Sequence, residues 1–97
     1  MLAEDLTVGQ VVRSKAGRDA GRFMAVTAIE EGFVYLADGR VRKADKPKRK
    51  KIKHIAKTNF IIKETHRFLE GSDSADAFLR DALKKFNDSE QTERETI

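Results

Sequence analysis

The chain of 97 residues contains no cysteine and a single proline. Without thiols there is no disulfide scaffold, no Cys-ligated zinc site and no thiol catalysis. No apolar run approaches the ~18 residues of a bilayer-spanning helix. Secretory features are missing as well: Glu4 and Asp5 stand where a leader needs positive charge, and no apolar segment follows. A cytoplasmic protein is therefore expected. Phosphate-loop signatures are absent, because Gly17 and Gly21 are not followed by Gly-Lys-Ser/Thr and there is no GxGxxG. Histidine is limited to His54 and His66, and no two carboxylates are spaced for acid–base work. The chain reads as a non-enzyme with no metal and no cofactor.

What is abundant is positive charge, unevenly placed. Lys and Arg number 20 against 16 Asp and Glu, a formal +4. Residues 1–59 carry net +7 and residues 60–97 net −3. Between Arg40 and Lys57 there are 10 basic residues and one acid, Asp45. Such asymmetry points to a polyanionic partner.

The length suits one domain with a small core. From Val8 the pattern is short apolar segments with glycine punctuation. Strands are expected at residues 10–14, 22–29 and 33–37. The second is apolar on both faces, as in a strand buried inside a small closed barrel. Glu31-Gly32 marks a tight turn. Asp38-Gly39 is a strong two-residue hairpin signal, a type I′ turn needing positive φ at both positions. It predicts a fourth strand at residues 40–44. Pro47 is expected to break any strand through residues 46–51, and a fifth strand is placed at 52–56. Five short strands at this spacing suggest a small barrel or sandwich.

After Lys57 the period changes. Phe60, Ile61, Glu64, Thr65, Phe68 and Leu69 predict a short helix over residues 59–70, ended by Gly71. Ala75, Phe78, Leu79, Ala82, Leu83 and Phe86 form one apolar helical stripe, which predicts a helix over 74–86. Ser72, Asp73 or Ser74 is its cap. The stripe either packs on its own domain or serves as a docking face for a partner. Residues 88–97 are polar and aperiodic and read as a disordered tail.

Two features carry chemistry. In the turn from Gly17 to Arg22, glycines permit positive φ and successive N–H groups can form an anion nest. Arg13, Lys15, Arg18 and Arg22 surround it. The turn either grips phosphate or is simply tight, with solvated arginines. The second feature is the run Lys46-Pro47-Lys48-Arg49-Lys50-Lys51-Ile52-Lys53-His54. Five cations within residues 46–51 repel one another, and a phosphate backbone would relieve that repulsion and release counterions. The plainer alternative is a solubilising loop. Arg42 and Lys43 lie just upstream. His54 is read as a sheet-edge residue and His66 as solvated. Phe23, Phe33 and Tyr35 are assigned to core packing, which leaves no aromatic platform for single-stranded bases. Shape-directed binding to structured RNA, through about six phosphate contacts, is the better fit.

Residues 8–39 resemble a KOW motif. The matching segments are Gly9-Gln10-Val11-Val12, then Ala16-Gly17-Arg18-Asp19-Ala20-Gly21-Arg22, the apolar strand ending at Ile29, and Val34-Tyr35-Leu36-Ala37-Asp38-Gly39. Arg42, Pro47, the basic run, Lys53-His54-Ile55 and Thr58 extend the likeness. They resemble large-subunit ribosomal proteins of the archaeal–eukaryotic fourteen-e family, and more closely their small bacterial KOW-domain relatives. The resemblance covers about half the chain. It implies a mainly β fold, an SH3-like barrel over residues 1–59; the helical extension read at 60–87 has no such support from the ribosomal proteins, although a helical tail of this kind recurs in the bacterial relatives. It also implies a cytoplasmic, ribosome-associated protein that binds ribosomal RNA. Gly21 would take the motif's glycine, with Arg18, Arg22 and residues 48–54 facing RNA.

The RNA-binding set expected is therefore Arg13, Lys15, Gly17, Arg18, Gly21, Arg22, Arg42, Lys43, Lys46, Lys48, Arg49, Lys50, Lys51, Lys53 and His54. Partners are RNA and, secondarily, ribosomal proteins, with no membrane. The alternative is a protein-interaction adaptor of the translation or transcription machinery, its basic face meeting an acidic protein surface.

Overall fold

The computed structural model describes residues 5–70 and 72–96, with side chains described as far as Asp88. Five strands form one antiparallel sheet: β1 (Gln10–Ser14), β2 (Phe23–Glu30), β3 (Phe33–Ala37), β4 (Lys48–Lys51) and β5 (Ile55–Ile61). A single helix, α1 (Asp73–Thr96), follows. The strand order is β4-β3-β2-β1-β5. The two edge strands are thus consecutive in the chain, joined only by a 3-10 turn at Ile52–His54. Four gaps of a flat sheet span about 19 Å. Three intervening residues reach about 14 Å at most, so the sheet has to curl.

Neighbouring residues on the central strands bury into different clusters, as a period of two requires. Val12, Met24, Val26, Val34 and Leu36 join Leu6, Ile52 and Ile55 on one face. Val11, Ala25 and Ala37 join Ile62, Phe68, Ala75, Leu79 and Leu83 on the other. This explains the doubly apolar second strand: its second face is covered by α1. The helical stripe is therefore occupied within the chain, and of the two alternatives for residues 74–86 the packing on its own domain is the one seen. Ser72 caps the helix, its Oγ accepting from the Ala75 N–H at 3.2 Å.

Further expectations are corrected. No strand forms at 40–44. There the Asp38 carboxylate accepts the N–H groups of Arg40 and Arg42 at 3.0 and 2.9 Å. The Arg42 carbonyl in turn accepts from the N–H groups of Asp38 and Gly39. Backbone groups satisfied locally in this way have no need of a ladder. The turn is not type I′, because among the described residues only glycines have positive φ. The fourth strand is instead the basic block itself, starting directly after Pro47. Proline is tolerated there because it precedes the ladder. The fifth strand lies at Ile55–Ile61, displacing the helix expected over 59–70; all that remains of it is a 3-10 turn at Thr65–Arg67. Its apolar residues serve a strand and Phe68 plugs the core. Lastly, the backbone of 88–96 continues α1 where a disordered tail was expected. Ile97, Gly71 and residues 1–4 lie outside the described residues.

Gly39 shows how closely the layers meet. Its φ is 77°, and a Cβ there would fall within contact distance of the Asp76 carbonyl of α1. Asp76 Oδ1 accepts the Ala44 N–H at 2.7 Å, and Arg80 donates to the Gly39 carbonyl at 2.7 Å. The 38–47 loop is thereby clamped by the first turns of the helix. No helix among the described residues is long and apolar enough to cross a membrane.

Candidate nucleic-acid interface

The turn between β1 and β2 closes on itself. The Gly21 N–H donates to the Ser14 carbonyl at 2.8 Å and the Ser14 N–H to the Arg22 carbonyl at 2.9 Å. Gly21 holds φ at 91° with open space where a Cβ would stand. Backbone conformation, rather than crowding, is what calls for glycine here.

Beneath the turn lies a buried polar cluster. Lys50 reaches inward from β4 and uses all three ammonium protons. It donates to Ser14 Oγ, the Ala16 carbonyl and Asp19 Oδ1, each at 2.7 Å. Ser14 Oγ also lies 2.9 Å from Asp19 Oδ1. Burial works against the Asp19 carboxylate, but its hydrogen bonds to Lys50 and Ser14, and the charge of Lys50, outweigh burial and hold its pKa below 3.8. Asp19 Oδ2 is buried without a partner among the described residues. This cluster ties an edge strand to the turn across the curl of the sheet.

Strand alternation decides which cations face out. Lys50 pairs with Val34 and Lys48 with Leu36, whereas Arg49 pairs with Tyr35 and Lys51 with Phe33. Residues opposite each other share a face. Arg49 and Lys51 are exposed and Lys50 is buried. Phe33 and Tyr35, expected in the core, are half-buried on the outer face instead. The Arg49 guanidinium lies 3.6 Å from the Phe33 ring centroid, and its Nε donates to Glu30 at 3.2 Å. A run of basic residues on an exposed edge also guards against edge-to-edge pairing.

Between the turn and β4 lies an open concavity of about 680 Å³. Eight of the fifteen expected residues line it: Gly17, Arg18, Arg42, Lys48, Arg49, Lys50, Lys51 and His54. That places the turn and the basic run on the same side of the molecule. Six cations and one carboxylate, Asp19, stand in the wall, with Phe33 among them. The ammonium of Lys50 is fully engaged and Arg49 is tethered to Glu30. Arg18, Lys48 and Lys51 make no hydrogen bond or ion pair through their side chains among the described residues. Arg42 presents a buried Nε without a partner there. His54 is half-buried and accepts the Lys15 N–H on its carbonyl at 2.8 Å.

Seven expected residues lie elsewhere. Arg13, Lys15, Lys43, Lys46 and Lys53 are exposed but do not line the concavity, and Gly21 shapes the turn without lining it. Arg22 turns away, gripping the buried Asp38 carboxylate through Nε and Nη2 at 3.1 and 2.8 Å. The fifteen expected residues are thus divided between the concavity and other parts of the surface. Sequence reasoning missed Phe33, although the alternation of Phe33-Val34-Tyr35-Leu36 carried the signal: with Val34 and Leu36 inside, Phe33 must face out. Among the described residues there is no group of His, Asp and Glu side chains that could hold a metal ion.

No protein-family model matches the chain, and no curated protein matches it either.

Proposed function

We propose that the chain is an RNA-binding module whose concavity between the Gly17 turn and β4 takes the phosphate backbone of structured RNA. The observation that carries this reading is the wall itself. It holds six cations, and the only carboxylate among them is already neutralised by Lys50. Such a site has an unmet demand for anions, and phosphate contacts position a protein without reading sequence. The curled sheet with consecutive edge strands fits the SH3-like barrel implied by the KOW resemblance. That resemblance favours ribosomal RNA, association with the ribosome and a cytoplasmic location.

The structure lowers the number of contacts offered by this groove. With Lys50 and Arg49 engaged, Arg18, Arg42, Lys48 and Lys51 remain, so about four phosphates replace about six. On duplex RNA the log–log salt slope should then be about −3.6, taking −0.9 per contact. Binding of a ribosomal RNA hairpin, followed by fluorescence anisotropy against salt, tests this. Substituting Arg18, Lys48 and Lys51 with Gln should flatten the slope by about 2.7. A wild-type slope near zero contradicts the reading. Protein partners that survive ribonuclease treatment in a pulldown would favour the adaptor.

A further inference from the structure

A second concavity, of about 240 Å³, lies where the 38–47 loop meets α1. Four cations reach its wall: Arg22, Arg40, Arg80 and Lys84. Of its two carboxylates, Asp88 is exposed and Asp38 is fully engaged. Asp38 Oδ2 holds the Arg22 guanidinium, and Oδ1 holds the N–H groups of Arg40 and Arg42. Arg80 uses Nη1 on the Gly39 carbonyl and keeps its other donors. The side chains of Arg40 and Lys84 have no hydrogen-bond or ion-pair partner among the described residues. Arg80 and Lys84 stand one helical turn apart on α1, where like charges repel.

The position of this hollow is informative. Arg40 and Arg42 hang from the same carboxylate oxygen, yet Arg40 lines the helix-side hollow and Arg42 lines the groove beside β4. The loop is therefore a ridge with cations on both sides. We infer that the helix-side hollow is a second phosphate-binding site, in which Arg40, Arg80 and Lys84 take a backbone oxyanion of the RNA that crosses the ridge. The inference rests on the RNA reading above and extends the interface onto α1, a segment outside the ribosomal resemblance. The Arg22–Asp38 pair forms the back wall and holds the ridge in place.

The test uses the full chain and the variant Arg40→Gln/Lys84→Gln. Both side chains are exposed and unpaired among the described residues, so the thermal midpoint should not move. On the ribosomal RNA hairpin the variant should lose the one phosphate contact, about 0.9 from the salt slope. Between 50 and 200 mM salt its affinity would then fall about 3.5-fold less than that of the wild type. The companion variant Lys48→Gln/Lys51→Gln reports on the groove alone. If the groove variant weakens binding while Arg40→Gln/Lys84→Gln keeps wild-type affinity and slope, the second site is refuted and the RNA reading stands. A titration with inorganic phosphate, followed by NMR at the Asn87 side-chain amide and Arg22 Nε–H, separates the two ideas further. Shifts in the wild type that vanish in Arg40→Gln/Lys84→Gln, without binding of the hairpin, uphold the oxyanion site and refute the RNA reading. No shifts with phosphate in large excess, together with an unchanged slope, overturn the inference.

Discussion

Replacing Lys50 with methionine separates a structural cation from a binding one. The side chain is 7% exposed, and its ammonium makes three hydrogen bonds at 2.7 Å. Methionine conserves most of the length and removes the charge. Asp19 would then be left buried with Ser14 alone on Oδ1 and nothing on Oδ2. Breaking one side of a buried pair costs about 3–5 kcal/mol. A domain of this size has about 5–15 kcal/mol in total. The melting midpoint should fall by at least about 12 °C, taking ~4 °C per kcal/mol. Urea unfolding followed by circular dichroism reads the same loss, with an unchanged m-value. Lys48→Met and Lys51→Met are the controls, expected within about 0.5 kcal/mol of the wild type. Adding Asp19→Leu to Lys50→Met should restore most of the stability, because an apolar pair avoids the desolvation of both charges. If Lys50→Met unfolds like its neighbours, or Asp19→Leu fails to compensate, the buried cluster does not hold the turn.

The same pair sets an acid dependence. The Asp19 pKa is lowered in the fold, so its stabilisation is complete well above 3.8 and is lost as pH falls through that value toward the folded pKa. The stability gap between wild type and Asp19→Asn should therefore narrow below pH 3.8 in urea titrations at stepped pH. Leu79→Ala, at a fully buried position on α1, should cost about 2–5 kcal/mol in a cooperative melt. Leu79→Asp should unfold the whole domain, whereas a folded monomer produced from an oligomer would show that the stripe docks elsewhere. Gly39→Ala meets both a positive φ and the Asp76 carbonyl, and should destabilise by more than about 1 kcal/mol. Amide exchange in the first turns of α1 would accelerate in that variant if the helix is displaced.

Elements defined by their own periodicity were legible from residue order alone. Gln10–Ser14 and Phe33–Ala37 form as read, and α1 begins within a residue of its expected start because the stripe from Ala75 to Phe86 announces itself. Composition likewise marked the basic stretch as a single feature. The errors cluster where a distant group overrides a local signal. Asp38-Gly39 has the residues of a hairpin, but Asp38 ties the following backbone to itself and to Arg22, and α1 holds the loop through Ala44.

The functional assignment of the cations divides in the same way. Residue order alone placed a dense positive charge beside a glycine turn, because charge and turn chemistry are properties of the residues themselves. It could not tell Lys50 from Lys51, which carry the same side chain one position apart. Only the assembled sheet separates them: β4 in register with β3, and an edge curled back toward the turn, bring Lys50 against Ser14 and Asp19 from 36 and 31 residues away. A side chain's neighbours at that separation depend on how the whole chain closes, and no short-range pattern contains that information.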